Sequence, residues 1–387
     1  VVYLALEKSL IPGQHRRFFM PANLSETTFI NLFLDNTPIL DVRAPIEFSH
    51  GSLPNSTNLP LLTDTEREAV GTKFKSSGQI AAITLAEQLL GPIEKVKRLS
   101  AWSAYIKTNP QAVLLCFRGG LRSHTVQEWL TKQGYAIPLV EGGLKAVRRF
   151  LMDSLEKSAS MSDFVIVAGN TGTGKTHLIN HLRYSIDLEG IAGHRGSAFG
   201  KRLQPQPSQI YFENNLSGQF LKLPVNEANR IFLEDESRGI GSLSIPLCLH
   251  NKMSDSPIAI VDEPLESRVN TILNDYIISN YREFESEFDT KSMTHFSEFL
   301  FSGLSKIKRR LGGEGYVEID QLMNTALSEQ KASNNIDLHK NWIRKLLSDY
   351  YDPMYEYQLS KKLQRVVFRG KKNEFLEWAS HIDHKKN

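Results

Sequence analysis

Two short segments of the chain combine residue types that do chemistry. The first is Cys116-Phe117-Arg118-Gly119-Gly120-Leu121-Arg122-Ser123, in which a cysteine ends an apolar run and helical text follows. Backbone N–H groups at such a strand-to-helix turn, backed by the helix N-terminus, favour an anion. They lower a thiol's pKa and make its thiolate available as a nucleophile. Gly119 and Gly120 are expected to curl the loop with positive φ. Arg118 and Arg122 would add fixed charge suited to an oxyanion. Cys116 is therefore the candidate catalytic residue. Two chemistries are open to it: attack on phosphorus, or carriage of a chalcogen as a persulfide or perselenide.

The second segment, Gly169-Asn170-Thr171-Gly172-Thr173-Gly174-Lys175-Thr176, matches G-x-x-x-x-G-K-[ST] in full. Backbone N–H groups around Gly169, Gly172 and Gly174 would wrap a phosphate chain. Lys175 would reach the terminal phosphate and Thr176 could hold Mg²⁺. The motif reads phosphate, not the group attached to it. Two apolar runs, Ile231 to Glu236 and Ile258 to Glu263, end in acids that suit the metal side. Asp235 is the candidate carboxylate. Arg195, in His194-Arg195-Gly196-Ser197, is a candidate phosphate or RNA contact, with a packing turn as the alternative. No residue set marks a resident metal with certainty.

The elements that must position these loops are α/β in rhythm. Pro38 to Arg43 and Ala112 to Cys116 read as short buried strands, Ser123 to Gln133 as a helix stopped by Gly134, and Tyr135 to Val140 as a returning strand. Phe150 to Ser162 is polar and Ser-rich and reads as a helix end plus linker. Phe164 to Ala168 is a strand that runs directly into the phosphate loop. Past about residue 285 strand signals fade and helical text dominates.

The first region resembles the rhodanese-like sulfurtransferases. Asp41-Val42-Arg43, Glu47-Phe48 and His50-Gly51-Ser52-Leu53-Pro54-Asn55-Ser56-Thr57-Asn58-Leu59-Pro60 are similar to that family's pattern, with Leu53 and Ser56 as mild departures. The Cys-to-Arg loop is longer than in ordinary thiosulfate sulfurtransferases and nearer to rhodanese-fold phosphatases, yet Leu115 stands where those carry His. The phosphate loop downstream narrows the match. The combination resembles the tRNA 2-selenouridine synthase family over about Met20 to Tyr357. Further similar stretches include Gly71 to Lys75, Glu141-Gly142-Gly143, Leu188-Glu189-Gly190, His194 to Gly200, Glu234 to Arg238 and Tyr351 to Tyr355.

That resemblance implies a rhodanese-like α/β domain over 20–152, a P-loop α/β domain over 163–300 and a helical, basic C-terminal region over 301–387. Residues 1–19 would form an extension outside the fold. It implies conversion of wobble 2-thiouridine in tRNA to 2-selenouridine through an S-geranylated intermediate. Geranyl diphosphate and selenophosphate would be the substrates and Cys116 the selenium carrier, as S-selanylcysteine. The alternative is a sulfurtransferase or cysteine phosphatase coupled to a P-loop nucleotide switch.

Bulk composition sets the limits. With 387 residues the chain is too long for one ordinary core. Two cysteines exclude a disulfide framework and suit a reducing cytoplasm. No apolar run is long enough to span a bilayer, so no membrane partner is expected. Net charge is only +3, but residues 301–387 hold 16 Lys+Arg against 11 Asp+Glu. Lys306, Lys308, Arg309, Arg310, Lys361, Lys362, Arg365, Arg369, Lys371 and Lys372 are candidates for the tRNA backbone. Tyr350, Tyr351, Tyr355 and Tyr357 are candidates for stacking on a base, or for helix packing. Cys248 reads as a buried hydrophobe.

Overall fold

A computed structural model describes residues 23–223 and 230–383. The expected extension over residues 1–19 lies outside the described residues. The fold is mixed α/β and divides into two compact units, Val1–Phe150 and Leu151–Asn387.

In the first unit, strands β1 (Ile39–Asp41), β2 (Ser56–Asn58) and β3 (Val113–Leu115) form a parallel sheet in the order β2-β1-β3. Parallel bridges Leu114–Leu139 and Leu24–Val140 extend it on the β3 side. The expected strand over Tyr135 to Val140 is thus reduced to bridges at Leu139 and Val140. All residues of β1 and β3 are buried, as an apolar run covered on both faces requires. The helix after Cys116 spans Leu121–Lys132 and buries Val126 and Leu130 under the sheet's core. Because β1 and β3 are parallel neighbours, the loops leaving their carboxyl ends lie side by side.

The second unit is built on a five-stranded parallel sheet. Its strands are β4 (Asp163–Ala168), β5 (Ser185–Ile186), β6 (Arg230–Glu234), β9 (Ile258–Val261) and β10 (Val366–Gly370), in the order β10-β9-β4-β6-β5. A small antiparallel pair, β7 (Gly239–Ile240) and β8 (Leu243–Ser244), stands apart. Side chains alternate between two cores. Phe164, Ile166 and Ala168 join one, while Val165 and Val167 join the other with Phe375 and Ala379. A third core is helical and aromatic, formed by residues such as Phe284, Phe296, Leu300, Met323 and Trp342.

Two expectations differ from this architecture. Residues 150–161 do not leave the helix for coil, because one helix runs Gly143–Met161. Leu144, Val147, Leu151, Leu155 and Ala159 supply a buried stripe at helical spacing, which the intervening Ser and Lys residues mask. The C-terminal region is also not purely helical, since it returns β10 to the sheet edge beside β9. That strand is flanked by Lys and Arg and only half-buried, so its apolar signal is weak.

Candidate active site

The Cys116 loop is a backbone-packed turn. Cys116 is 2% exposed, while Phe117 and Leu121 beside it are 39% and 54% exposed. Its Sγ lies 3.2 Å from Ser123 Oγ, whose hydroxyl also reaches Gly120 O at 3.0 Å. Ser123 sits in the first turn of the following helix, so the helix start brings a hydroxyl to the thiol. The turn is pinned from below by Gly142-Gly143. Leu144 N donates to Cys116 O at 2.9 Å and Lys145 N to Phe117 O at 3.0 Å. Gly143 has φ +60°, and a Cβ there would meet Gly119 N at 2.5 Å, Arg118 N at 2.7 Å and Cys116 O more closely still.

The structure corrects two expectations at this loop. Gly119 has φ +63°, but Gly120 has φ −105° and no left-handed requirement. Arg122 is not a free cation over the loop. It donates to Glu47 through both Nη atoms, at 2.5 and 3.2 Å. Burial, opposed by the stronger combined pull of Arg122 and the Ala44 N–H, leaves the Glu47 carboxyl below its ordinary range. Arg118 is exposed and is the loop's outward charge. Asp41 and Arg43 are both buried and form an ion pair of 2.7 Å. Arg43 also donates to Glu47 O and Gly51 O, clamping the segment that presents Glu47.

The phosphate loop has the expected strand before it, but the helix after it is only five residues, Lys175–Ile179. Gly172 and Gly174 take φ +84° and +74°. Lys175 Nζ folds onto Gly169 O at 2.7 Å. Thr176 Oγ1 donates to Glu234 Oε1 at 2.8 Å and to Glu189 Oε2 at 3.1 Å, and Glu189 N donates to Glu234 Oε2 at 3.0 Å. Glu234, at the carboxyl end of β6, therefore occupies the place assigned to Asp235. Asp235 points elsewhere and pairs with Lys362 Nζ at 2.7 Å. The strand ends one residue earlier than the acidic run suggests, and each residue of offset changes the side a side chain faces.

Three glutamates crowd this loop. Burial, reinforced by Glu189 and Asp187, pushes the Glu234 carboxyl up to about 8. Burial, with Glu189 and Glu234, holds Glu236 well above the ordinary range, and its carboxyl donates to Glu189. Burial raises Glu189 as well, against the pull of Lys175. Among the described residues no group of three or more His, Cys, Asp or Glu is arranged to hold a metal ion. Thr176 and Glu234, with Glu189 beside them, present oxygens of the kind a cation takes together with phosphate and water.

Arg195 belongs to a packing turn. Its Nη1 donates to Asn280 Oδ1 at 2.6 Å and its guanidinium lies 5.3 Å from the Tyr276 ring centre. Gly196 in the same turn backs onto Glu189 and Glu236. Much of the expected basic face is also engaged within the fold. Lys362 holds Asp235, Arg365 donates to Met253 O and Ser256 O, Arg369 pairs with Asp262 and Lys372 with Glu263. Tyr350 and Tyr351 are 9% and 7% exposed and pack in the helical core, whereas Tyr357 is 65% exposed. Cys248 is part-buried against a core, and both cysteines are free.

Two crevices flank the phosphate loop. On the Asn170 side is a cavity of about 310 Å³ with mixed polar walls. On the Thr171 side is a narrow apolar crevice lined by Phe199, Ile272, Tyr276, Trp342, Leu346 and Tyr351, with about 20 Å³ of water-accessible volume. Arg268 braces the turn between them, donating to Thr171 O at 3.3 Å and to both Asp352 oxygens at 2.7 Å. Asp352 in turn accepts from Asn170 Nδ2 at 2.8 Å. Glu47, Ser123, Gly143, Glu189, Glu234 and Arg268 are the positioning residues that sequence reasoning did not assign. Only Arg268 lies outside the stretches already noted for their family likeness.

Residues 162–386 match a family model described as the tRNA 2-selenouridine synthase AAA domain. A protein named tRNA 2-selenouridine synthase from Marinobacter nauticus is 44% identical over 354 residues, covering 91% of this chain and 96% of its own length. One of the same name from Pseudomonas putida is 46% identical over 354 residues, covering 91% and 97%. Another from Photobacterium profundum is 44% identical over 353 residues, covering 91% and 97%. The coverage spans both the cysteine loop's unit and the phosphate loop's unit, and on that similarity the chain belongs to the tRNA 2-selenouridine synthase family.

Proposed function

We propose that this chain is a tRNA-modifying transferase that replaces the sulfur of wobble 2-thiouridine by selenium through an S-geranylated intermediate. The first unit is read as rhodanese-like and the second as a P-loop domain. The similar proteins' name supports the overall conversion. The observation that carries the geranyl step is the apolar crevice opening at Thr171 of the phosphate loop. An aromatic and aliphatic crevice suits the hydrocarbon of a prenyl diphosphate, and a chain entering it would displace side chains more than water. No helix among the described residues is long and apolar enough to cross a membrane.

The first step is alkylation. The thiocarbonyl sulfur attacks C1 of the geranyl group, the C1–O bond breaks, diphosphate leaves and the N3 proton is lost to solvent. Lys175 and the loop N–H groups bind the departing diphosphate, whose charge grows as the bond breaks. Mg²⁺ held by Thr176 and Glu234 would neutralise part of that charge. In the second step selenium from selenophosphate adds at C2 and geranylthiolate leaves, while water takes the phosphoryl group as phosphate. Cys116 handles the chalcogen at the selenide level: its thiolate attacks phosphorus, the P–Se bond breaks to release hydroselenide beside C2, and water then frees phosphate from the sulfur, so no electrons change hands.

The test is reconstitution with a 2-thiouridine oligoribonucleotide, geranyl diphosphate and selenophosphate, read by mass spectrometry of the nucleosides. S-geranyl-2-thiouridine should appear without selenophosphate and 2-selenouridine with it. Turnover of ATP or GTP with no change in the nucleoside would overturn the reading in favour of a nucleotide switch.

A further inference from the structure

The cavity on the Asn170 side lies outside the carboxyl ends of β4, β9 and β10. The chain leaves β4 toward β5 and β6 on one side and reaches β9 and β10 on the other, so β4 and β9 bound a topological switch point. Ligands of open parallel sheets bind at such crevices. The volume of about 310 Å³ sits at the low end of small-molecule sites, which suits a single nucleoside better than a large cofactor.

The walls indicate what kind of ligand fits. Asp262 and Glu263 follow β9 directly, and Glu356 adds a third carboxylate against the single Arg369. Arg369 is already paired with Asp262, at 2.6 and 3.3 Å. Glu263 accepts from Ser267 Oγ at 2.7 Å and has Lys372 Nζ at 3.7 Å. Such a surface repels phosphate and accepts from N–H and O–H donors. Acids at a strand's carboxyl end bind ribose hydroxyls in other parallel-sheet proteins. Val261, Leu359 and Leu363 give an apolar surface for a flat ring. The Tyr355 hydroxyl is buried on this wall with no well-formed hydrogen bond, although the Gly169 backbone N–H approaches it.

We propose that this cavity receives the acceptor nucleoside of the RNA substrate, turned out of its strand, with its sugar and ring donors on the carboxylates and its base beside Tyr355. The proposal rests on the transferase reading above. Asn170 and Thr171 are consecutive, so a nucleoside here and a prenyl chain in the apolar crevice would flank the same turn of the phosphate loop. Enzymes acting on a base in RNA take it out of the stack in this way.

Binding of the full chain to two fluorescent oligoribonucleotides tests it, one carrying a single 2-thiouridine and one abasic at that position. The pair share every phosphate, so backbone affinity cancels. Wild type should bind the first about tenfold more tightly, the scale of one base–aromatic contact. Ser360→Trp and Leu363→Trp, at two lining positions, should fill the cavity and remove that preference, with thermal melting confirming that each folds. No preference in wild type, or a preference kept in both folded variants, overturns the proposal. ATP or GTP binding that both variants abolish, with the oligonucleotide preference intact, would assign the cavity to a free nucleotide and overturn the RNA assignment. Because the readout is binding, failure of alkylation in the wild type would count against the reaction reading alone.

Discussion

The cysteine loop and the phosphate loop both follow a buried parallel strand, yet they handle charge in opposite ways. Around Cys116 the charges close on themselves. Arg122 is held by Glu47 and Arg43 by Asp41. Glycine backbone fills the space beneath the turn, leaving a closely packed loop with one outward arginine. Around Lys175 the charges do not close. Glu189, Glu234 and Glu236 crowd one another beside Thr176, and burial holds all three carboxyls above their ordinary range. The first loop is preorganised by packing. The second carries an electrostatic conflict among carboxylates that a cation would relieve. Shape therefore determines one site and charge the other.

If the loops serve separate steps, variants should separate them. Cys116→Ala should lower selenium incorporation on the order of a thousandfold or more, while S-geranylation and RNA binding stay intact. Nucleoside mass spectrometry reads both products, and full selenation would end the chalcogen role. Lys175→Ala should lower S-geranylation by about 100- to 1,000-fold. A pre-geranylated oligonucleotide should restore selenation in that variant but not in Cys116→Ala.

Packing and charge can be separated too. Gly143→Ala puts a Cβ against the Cys116 turn at positive φ and should cost about 3 kcal/mol or more in urea unfolding of the first unit. Gly120→Ala meets nothing within 4 Å and should change stability by less than about 0.5 kcal/mol. Equal costs would mean the turn is not shaped by the Gly143 approach.

The smallest effect concerns pH. Glu234 is raised from 4.5 to about 8, so the folded chain keeps a proton that the unfolded chain releases. Its contribution to stability is full below about pH 4.5 and is lost as pH climbs through about 8. Glu234→Gln should flatten that fall by roughly 2 kcal/mol between pH 6 and 9, measured by denaturant midpoints without Mg²⁺. An unchanged slope would place the proton on Glu189 or Glu236.

Much of this was legible in the residues. The apolar runs ending at Leu115 and Ala168 are fully buried parallel strands, which need apolar side chains on both faces. The loops that follow them carry their chemistry in local spacing, so Cys116 and the Gly169–Thr176 segment could be read directly. The helix Gly143–Met161 was obscured because its buried stripe is diluted by surface Ser and Lys. The strand β10 was obscured because at this sheet edge alternate residues are only half-buried and the others exposed.

Sequence by itself marked the candidate nucleophile and the candidate phosphate loop, because a thiol at a strand end and a glycine-rich loop motif depend on near neighbours in the chain. Only the tertiary structure decided which charges reach those loops. Glu47 stands 75 positions from Arg122 and Glu234 58 positions from Thr176, and Asp235 rather than Glu234 had looked like the acid in question. Adjacent parallel strands set those pairings, since a carboxylate's partner depends on strand order and on which side of the strand its residue faces.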